Sequence, residues 1–479
     1  MTLAPSAAAV LVLYLAAITA FGWWLGRRGR SLQAYFLAGR TVPWWAVAAC
    51  VVATETSTLT FIGAPGLAYG GDWTFLQLAL GYVLGRVLIA LVLLPAYFRG
   101  QLFTSYELLQ GRFGGGAVRA TSAGIFLLYR SLGDGIRLHA AALVLSVAAG
   151  VPEWMCIAAL GLAMIVYTEE GGVAATVWTD VIQMFVYLAG AAGCAIALAG
   201  ALPGGVAGAL EAAAAAGKLR VLDASFDPQA PYTIWAGLIG GAFLTLATHG
   251  TDHYLVQRLL VARSRRDASI GLVLSGVLVF AQFALFLLLG TLLWSHYQGR
   301  AFARGDEVLP TFVSTGLPGA LAGFVLAAIV AAALSPSLNS MASTTLRDFW
   351  LPYVNPAADE AAQVRLGRAF TVFWGALQMG VALLAQDVDS ALSEGLAALG
   401  YASGPTVGAF LLAVLTRRAD ARGTITGMLA GLLVSLACGK LAELALGAPL
   451  VAWTWNVAVG AVVTFAVGVA ASRHRAPAQ

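Results

Sequence analysis

The stretch Ala53-Thr54-Glu55-Thr56-Ser57-Thr58-Leu59-Thr60 lies in the middle of an otherwise apolar run from Val42 to Gly70. Six of these eight side chains are polar, although the run is long enough to cross a bilayer. An ionisable side chain near the bilayer centre costs at least ~2.5 kcal/mol, and every backbone polar group there needs a partner. The stretch therefore predicts a membrane helix that is broken at this point, where a solute or an ion binds.

The composition places the whole chain in a membrane. Of 479 residues, 60% are hydrophobic and only 10% are charged, whereas a soluble domain carries about 25% charged residues. Counting apolar runs that can span a core of roughly 30 Å predicts one all-α transmembrane domain, residues 1–479, with thirteen helices. The runs are 7–25, 42–70, 73–97, 117–148, 152–167, 174–201, 232–258, 268–296, 317–345, 366–386, 391–416, 423–446 and 449–471.

The distribution of basic residues predicts the orientation. With the N-terminus outside, nineteen basic residues fall in inside loops and four in outside loops. Lys and Arg of short loops are held on the cytoplasmic side, so we expect a multi-pass protein of the cell (inner) membrane with a cytoplasmic C-terminus. The first run lacks a basic segment before it and is predicted to be a retained helix. The net charge of +4 is then a topology signal and does not indicate a nucleic-acid partner; no obligate protein partner is indicated either.

A second polar break, Ala247-Thr248-His249-Gly250-Thr251-Asp252-His253, lies five spans after the first. Paired interrupted helices in corresponding halves indicate a transporter built from inverted repeats, with its site near the membrane midplane. The predicted organisation is an extra helix at 7–25, repeat 1 at 42–201, repeat 2 at 232–416 and two C-terminal helices within 423–471.

Six motifs, in the family's order, resemble the sodium:solute symporter family. They are YFLAGRTVPWW (35–45), FIGAPG (61–66), YELLQGRFG (106–114), YTEEGGV (167–173) leading into WTDVIQ (178–183), VQR (256–258), and LNS (338–340) with RDF (347–349). The resemblance runs through the whole chain. It implies a five-plus-five inverted-repeat core of the leucine-transporter type, with one helix before it and two after, and sodium-driven uptake of a small organic solute.

The resemblance also implies a sodium site. In the family, one sodium ion is held by backbone carbonyls at the first break, which correspond to Ala53 and Thr56, and by two adjacent hydroxyl residues on the eighth core helix. Oxygen ligands suit a small hard cation. The hydroxyl positions correspond here to Ala332 and Ala333, which offer no side-chain oxygen.

Three interpretations of that departure remain open. A small deletion would place Ser335 and Ser337 in the ligand positions. Alternatively, sodium binds at Asp180 and Ser335, which match an additional sodium site of some members. Finally, the protein is a proton-coupled symporter using the acids and histidines of the breaks, or an uncoupled carrier with a degraded sodium site. The ionisable residues of that last interpretation are Glu55, Asp252, His249 and His253.

The solute is predicted to contact polar side chains of both breaks and one arginine. Arg137, near the middle of run 117–148, is suited to clamp a carboxylate bidentately, and some family members bind an acidic solute through an arginine on this helix. The alternative is a structural pairing with Asp134 or another buried acid. The predicted solute-binding residues are Thr54, Glu55, Ser57, Thr60, Arg137, His249, Asp252 and Tyr254.

No enzymatic constellation is legible in the sequence. The polar residues are mostly hydroxyls and single charges on two broken helices, without a nucleophile and base pair. His249 and His253 are spaced four apart, but no third ligand for a transition metal is evident. We therefore expect no enzyme, no organic cofactor, and an ion, sodium or alternatively a proton, as the coupling agent.

Overall fold

The computed structural model describes residues 5–26, 32–100, 102–333, 337–385 and 391–472. These residues form helices joined by turns, and within them the only β-type pairing is one isolated bridge between Val42 and Ala262. The α-helices are α1 Pro5–Gly26, α2 Leu32–Leu37, α3 Trp44–Glu55, α4 Thr58–Gly70, α5 Phe75–Val92, α6 Leu94–Tyr97, α7 Glu107–Phe113, α8 Ala117–Ala149, α9 Glu153–Ala201, α10 Gly205–Ala215, α11 Gly241–Thr245, α12 His253–Leu260, α13 Arg265–His296, α14 Val308–Gly316, α15 Gly319–Ala333, α16 Leu338–Thr344, α17 Leu351–Tyr353, α18 Glu360–Leu384, α19 Ala391–Leu415, α20 Ala421–Leu436, α21 Ala442–Leu446 and α22 Asn456–Ala471.

Short irregular helices complete several of these elements. The π-helical segments are Ala236–Gly240, Leu246–Thr251, Thr345–Trp350 and Ala437–Leu441. The 3₁₀ turns are Ala38–Arg40, Gly305–Glu307 and Trp453–Trp455. The segment Ala437–Leu441 connects α20 and α21 within one apolar run and so continues the helix, whereas Leu246–Thr251 leads directly to the extended residue Asp252.

Each predicted apolar run coincides, over its described residues, with one helix or a series of helices. By length and composition, seven described helices qualify to cross a membrane, and the bent pair α3 and α4 makes an eighth. Helix α8 does not qualify because it carries Arg130, Asp134 and Arg137, and α15 is too short. The all-α, multi-pass membrane class is confirmed, whereas the number of thirteen crossings stays a prediction.

Helix α9 joins two predicted runs at a bend. Gly172 interrupts it with φ 56° and ψ −162°, a conformation that L side chains rarely adopt. A Cβ at this position would also lie 2.7 Å from the carbonyl oxygen of Tyr35. Glycine is therefore required both by the turn and by the close approach of the segment before α3.

The helices that contain the first break are enclosed by other helices. Helix α3 packs against α9 and α13, and α4 packs against α13 and the Gly305–Glu307 turn. Helix α1 lies against α9 and α15 and does not enter this contact set. Nearly all of α3 from Ala46 to Thr54 is buried, so the polar residues at its end are held inside the protein.

Candidate functional site at the two helix breaks

The first break separates α3 from α4. Thr56 (φ −74°, ψ 119°) and Ser57 (φ −114°, ψ 167°) are extended, and the two half-helices are bent by 65°. The Ser57 hydroxyl accepts a hydrogen bond from the amide of Thr60 at 3.3 Å and so caps α4. No backbone N–H of the described residues donates to the carbonyls of Ala53 or Thr56. The negative end of α3 thus presents backbone oxygens that suit a cation.

The second break separates the π-segment Leu246–Thr251 from α12. Asp252 is extended (φ −69°, ψ 117°), and its Oδ1 accepts a hydrogen bond from the amide of Tyr254 at 2.8 Å. Here the capping group is a carboxylate, which the positive N-terminal end of α12 favours. Both predicted breaks are present, and each restarts its helix with its own capping side chain.

A buried arginine joins the two breaks. Arg86 on α5 is fully buried and forms an ion pair with Glu55 at the first break. Its Nη2 also lies 3.2 Å from Nε2 of His249 at the second break, which is 3.6 Å from the Glu55 carboxylate. Glu55 keeps 19% of its side chain exposed, against 0% for Arg86. The accessible member of this group is therefore the carboxylate. At Gly276 on α13, an added Cβ would lie 3.0 Å from Cδ of Arg86, so the stem of the arginine packs closely against this glycine.

A second charged group connects the second break to α8. Arg130 forms an ion pair with Asp252 and lies 3.5 Å from Asp134. Its guanidinium carbon is 4.7 Å from the ring centroid of Tyr254, close enough for a cation–π contact. Arg137 reaches the same Asp134 at 3.7 Å. The structural pairing of Arg137 that the sequence left open is thus present, but it is long and its acid is shared.

Arg137 faces the protein interior. Leu128 and Leu132 of α8 are 67% and 49% exposed, which marks the outer face of this helix. Arg137 lies about 140–180° around the helix from those leucines and shares the inner face with Arg130 and Asp134. Its side chain is nevertheless 28% exposed. The guanidinium of Arg137 is therefore partly accessible although it lies on the inner face of α8.

A third group surrounds Asp180 on α9. Its Oδ2 accepts from the Cys50 thiol and the Thr54 hydroxyl, each at 3.2 Å. Nε of the buried Arg258 lies 3.4 Å from the same oxygen. The structure therefore brings Thr54, predicted to bind solute, to Asp180, predicted to bind sodium, and places a permanent positive charge beside both.

Neutral hydrogen bonds hold the first break from the opposite side. Nε2 of Gln282 donates to the Thr56 hydroxyl at 2.9 Å, and Oε1 of Gln282 lies 3.2 Å from the same hydroxyl. The Tyr187 hydroxyl also donates to Oε1 of Gln282, at 3.2 Å. Gln282 is on α13 and Tyr187 on α9. Neither residue was predicted from the sequence to contact the break, and Arg86 and Arg130 were not predicted as partners of the breaks either. The useful signal was a charged or amide side chain inside an apolar run, which has to find a buried partner.

The residues predicted for sodium on the second repeat are only partly placed. Ala332 is buried on α15, and α15 ends at Ala333, whose side chain is not described. Ser335 lies outside the described residues. The Ser337 hydroxyl donates to Asp134. This contact occupies the hydroxyl that a small deletion would have placed in a sodium-ligand position.

The two histidines do not form a metal pair. Nδ1 of His253 accepts from the amide of Ser105 at 3.3 Å, and its Nε2 lies 3.0 Å from the hydroxyl of Ser343. His249 instead contacts Arg86 and Thr248. Among the described residues, no group of three His, Cys, Asp or Glu side chains is arranged to hold a metal ion.

An all-α, multi-pass protein with two interrupted helices whose breaks meet at buried charged groups is a secondary transporter. The family model "Sodium:solute symporter family" matches residues 35–431. The chain belongs to this family, as its motifs indicated.

Relatives of known function support this assignment. The chain is 30% identical over 444 residues to the human sodium/iodide cotransporter, covering 89% of this chain and 68% of that protein. It is 30% identical over 434 residues to the sodium-dependent multivitamin transporter of Oryctolagus cuniculus, covering 87% and 66%. Human sodium-coupled monocarboxylate transporter 1 is 28% identical over 446 residues, covering 91% and 72%. The chain thus spans about two thirds of the length of these relatives.

Solved structures share the fold. A Na⁺-coupled sialic acid symporter in a substrate-bound, outward-open state superposes with a TM-score of 0.89 at 25% identity, covering 98% of this chain and 97% of that one. A nucleobase-cation-symport-1 family transporter reaches a TM-score of 0.55 at 17% identity, covering 91% and 93%, which shows the fold alone. The protein is a sodium-coupled solute symporter and not an enzyme, and sodium is its coupling ion. The comparisons do not favour the proton-coupled or uncoupled alternative.

Proposed function

We propose that the solute is a small organic carboxylate that binds between the two breaks, where the guanidinium of Arg137 takes its carboxylate group. Two of the relatives are named for transport of iodide and of monocarboxylates, and the solved neighbour for sialic acid, all of which are anions. The single observation that carries the proposal is Arg137, an accessible arginine on the inner face of a membrane helix.

The charge balance supports an anionic solute. Three acids at or beside the breaks each have an arginine partner: Glu55 with Arg86, Asp252 with Arg130, and Asp180 with Arg258. Their negative charges are therefore already balanced. Asp134 lies between Arg130 and Arg137 and contacts neither closely. An anion at Arg137 therefore adds a bidentate partner without leaving an acid buried alone. We also propose that the solute contacts residues that lie at the two breaks, namely Ser57, Thr60, His249 and Tyr254.

Sodium is proposed to bind at the end of α3. The carbonyls of Ala53 and Thr56 are the proposed ligands on the first break. Ala332 and Ala333 mark the opposing position on α15, and Asp180 with Ser335 is the proposed alternative site. Solute and sodium each stabilise the occupied state, so each raises the affinity of the other by the same factor.

The proposed transport cycle moves the broken helices against the others. We assign residues 42–201 and 232–416 to two inverted repeats, with the N-terminus outside and the C-terminus in the cytoplasm of a cell whose inner membrane holds the protein. The basic residues of the loops support this orientation. Rocking of the half-helices then opens the site alternately to each side.

The test uses purified protein and a metabolite panel. Thermal stabilisation by carboxylates and by neutral solutes is measured in sodium and in potassium, and the best ligand is titrated against wild type, Arg137→Gln and the exposed control Arg365→Gln. Loss of a bidentate charged contact should weaken binding by about tenfold or more in Arg137→Gln and leave the control unchanged. Unchanged affinity in Arg137→Gln would remove the carboxylate clamp, and stabilisation only by neutral solutes would remove the anionic class.

A further inference from the structure

We infer that Thr58 supplies the side-chain oxygen for sodium that Ala332 and Ala333 lack. The inference rests on the proposed sodium position at the end of α3 and deepens it by naming a ligand on the first break itself. Thr58 is the first residue of α4, directly after the break, and is fully buried.

The geometry places Thr58 against the correct turn of α15. Its hydroxyl donates to the carbonyl oxygen of Ile329 at 3.0 Å. Positions 329, 332 and 333 follow the i, i+3, i+4 spacing, so Ala332 and Ala333 lie on the helix face that begins at Ile329. A hydroxyl at position 332 would therefore lie on the face of α15 that contacts the break. The oxygen that the second repeat has lost is thus present on the other side of the interface.

The distance suits shared coordination of one cation. Oxygen ligands of a hard cation lie about 2.3–2.6 Å from the ion, and neighbouring ligands in a six-fold shell are then roughly 3–3.5 Å apart. The Thr58 hydroxyl and the Ile329 carbonyl already have such a separation. When a cation arrives, the hydroxyl has only to rotate its proton away and present a lone pair. No backbone movement is required of these two groups.

The position also provides the other ligands. Ala53 and Thr56 precede Thr58 at the end of α3, where no described backbone N–H donates to either carbonyl. We assign to the same cation the carbonyls of Ala53 and Thr56 at the break, the Ile329 carbonyl of α15 and the Thr58 hydroxyl of α4, which are all oxygen ligands. Because α4 and α15 both contribute, sodium at this place would hold the first break against α15.

The experiment measures sodium binding directly, by tryptophan fluorescence and thermal stabilisation of the purified protein without solute, in sodium, lithium and potassium. Thr58→Val removes the hydroxyl and keeps the shape, and Thr58→Ser keeps the hydroxyl. The matched control is Thr371→Val on α18, since Thr371 is equally buried and its hydroxyl donates to the Gly367 carbonyl at 3.0 Å. A fourth protein combines Thr58→Val with Ala332→Ser and Ala333→Ser.

The expected result is sodium binding weakened by about tenfold or more in Thr58→Val, as for loss of an oxygen that contacts a charge. Thr58→Ser and Thr371→Val should stay close to wild type, and the two added serines should recover part of the lost affinity. Equal affinity in Thr58→Val and wild type, equal losses in Thr58→Val and Thr371→Val, or no recovery by the serines would each overturn the inference. Should Thr58→Val not fold, Thr58→Ala takes its place in the same comparison. If wild type itself shows no sodium-dependent signal, the proposed sodium position fails as well, and that outcome is separate from a failure of Thr58 alone.

Discussion

The two breaks interrupt their helices in similar ways but are stabilised by different chemistry. At the first break, Thr56 and Ser57 are extended, and the neutral Ser57 side chain caps α4. Among the described residues, no backbone N–H donates to the carbonyls of Ala53 and Thr56. At the second, one residue is extended, and its carboxylate both caps α12 and pairs with Arg130. Both breaks carry an ion pair, Glu55 with Arg86 and Asp252 with Arg130, and the first also leaves backbone oxygens available to a cation.

This difference separates two roles. Asp252 is 1% exposed, and its ion pair joins the second break to α8, the helix that also carries Arg137. Glu55 at the first break is 19% exposed and its partner Arg86 lies on the adjacent α5. The second break is therefore fixed to the helix that we propose recognises the solute, while the first keeps a partly exposed carboxylate.

The largest expected effect follows from removing the charge at the second break. Arg130→Gln leaves Asp252 and Asp134 without their shared guanidinium in a buried place, and breaking a buried pair costs about 3–5 kcal/mol. Chemical or thermal unfolding in detergent measures the loss. The control is Lys440→Gln, at a 3.0 Å pair with Glu443 whose side chains are about half exposed, where less than ~1 kcal/mol is expected. Equal stability losses in the two variants would contradict the assigned role of Arg130.

An intermediate effect is expected at the neutral contacts of the first break. Gln282→Leu removes the acceptor of the Tyr187 hydroxyl and the amide that contacts Thr56, and an unsatisfied buried hydroxyl costs about 1–3 kcal/mol. The Thr56 hydroxyl still donates to the carbonyl of Val52 at 2.8 Å, so the lower part of that range applies. Unfolding measurements compare this variant with Gln229→Leu, an exposed glutamine that donates to the Pro449 carbonyl. A loss of stability as large as that of Arg130→Gln would contradict the proposed difference between the contacts that stabilise the two breaks.

The sequence predicted where the two breaks lie better than it predicted which side chains contact them. Two runs of polar residues within apolar segments can only be accommodated as interrupted helices, so their position follows from the cost of burying polar groups in lipid. The pairing of Asp252 with Arg130 depends on how α8 lies against α12, which one sequence does not contain. For the same reason, the sequence predicted that Arg137 lies inside the protein but left open whether it binds a carboxylate of the solute or pairs with Asp134 or another buried acid.

The fold shows the same limit. Apolar runs located the helices, yet the 49-residue α9 contains two of them and is bent at Gly172, a feature that depends on contact with Tyr35. Likewise, Ala332 and Ala333 signalled a missing ligand, whereas the compensating hydroxyl of Thr58 became visible only when Ile329 was placed beside it.

The smallest effect concerns the far ends of the half-helices. The end of α12 is tied to the start of α3 by backbone hydrogen bonds, from Val42 to Val261 at 3.1 Å and from Arg263 to Val42 at 3.2 Å. The end of α4 is tied to the loop after α10 by side chains, beside one backbone hydrogen bond from the amide of Trp73 to the carbonyl of Arg220 at 3.0 Å. Nζ of Lys218 donates to the carbonyls of Tyr69 and Gly71 at 2.7 and 3.1 Å. The tie of α4 should therefore be the one that responds to pH and salt.

Asp72 tests this expectation, because it accepts from Arg220 Nε at 2.9 Å within the same loop contact. Partial burial raises the pKa of Asp72, but the hydroxyl and amide of Thr74 and the charge of Arg220 outweigh it and hold the pKa below its ordinary value of 3.8. The stabilisation is thus complete at neutral pH and is lost only as the pH falls through that depressed value. Asp72→Asn should cost less than ~1 kcal/mol, as partly exposed pairs do, and should speed hydrogen exchange in residues 216–223. The control is Asp227→Asn, because Asp227 lies in the same loop and its carboxylate accepts a hydrogen bond from the amide of Gln229 at 2.8 Å. Unchanged exchange in Asp72→Asn at neutral pH would show that side chains do not secure the end of α4, and the contrast between the two half-helices would then be confined to the breaks themselves.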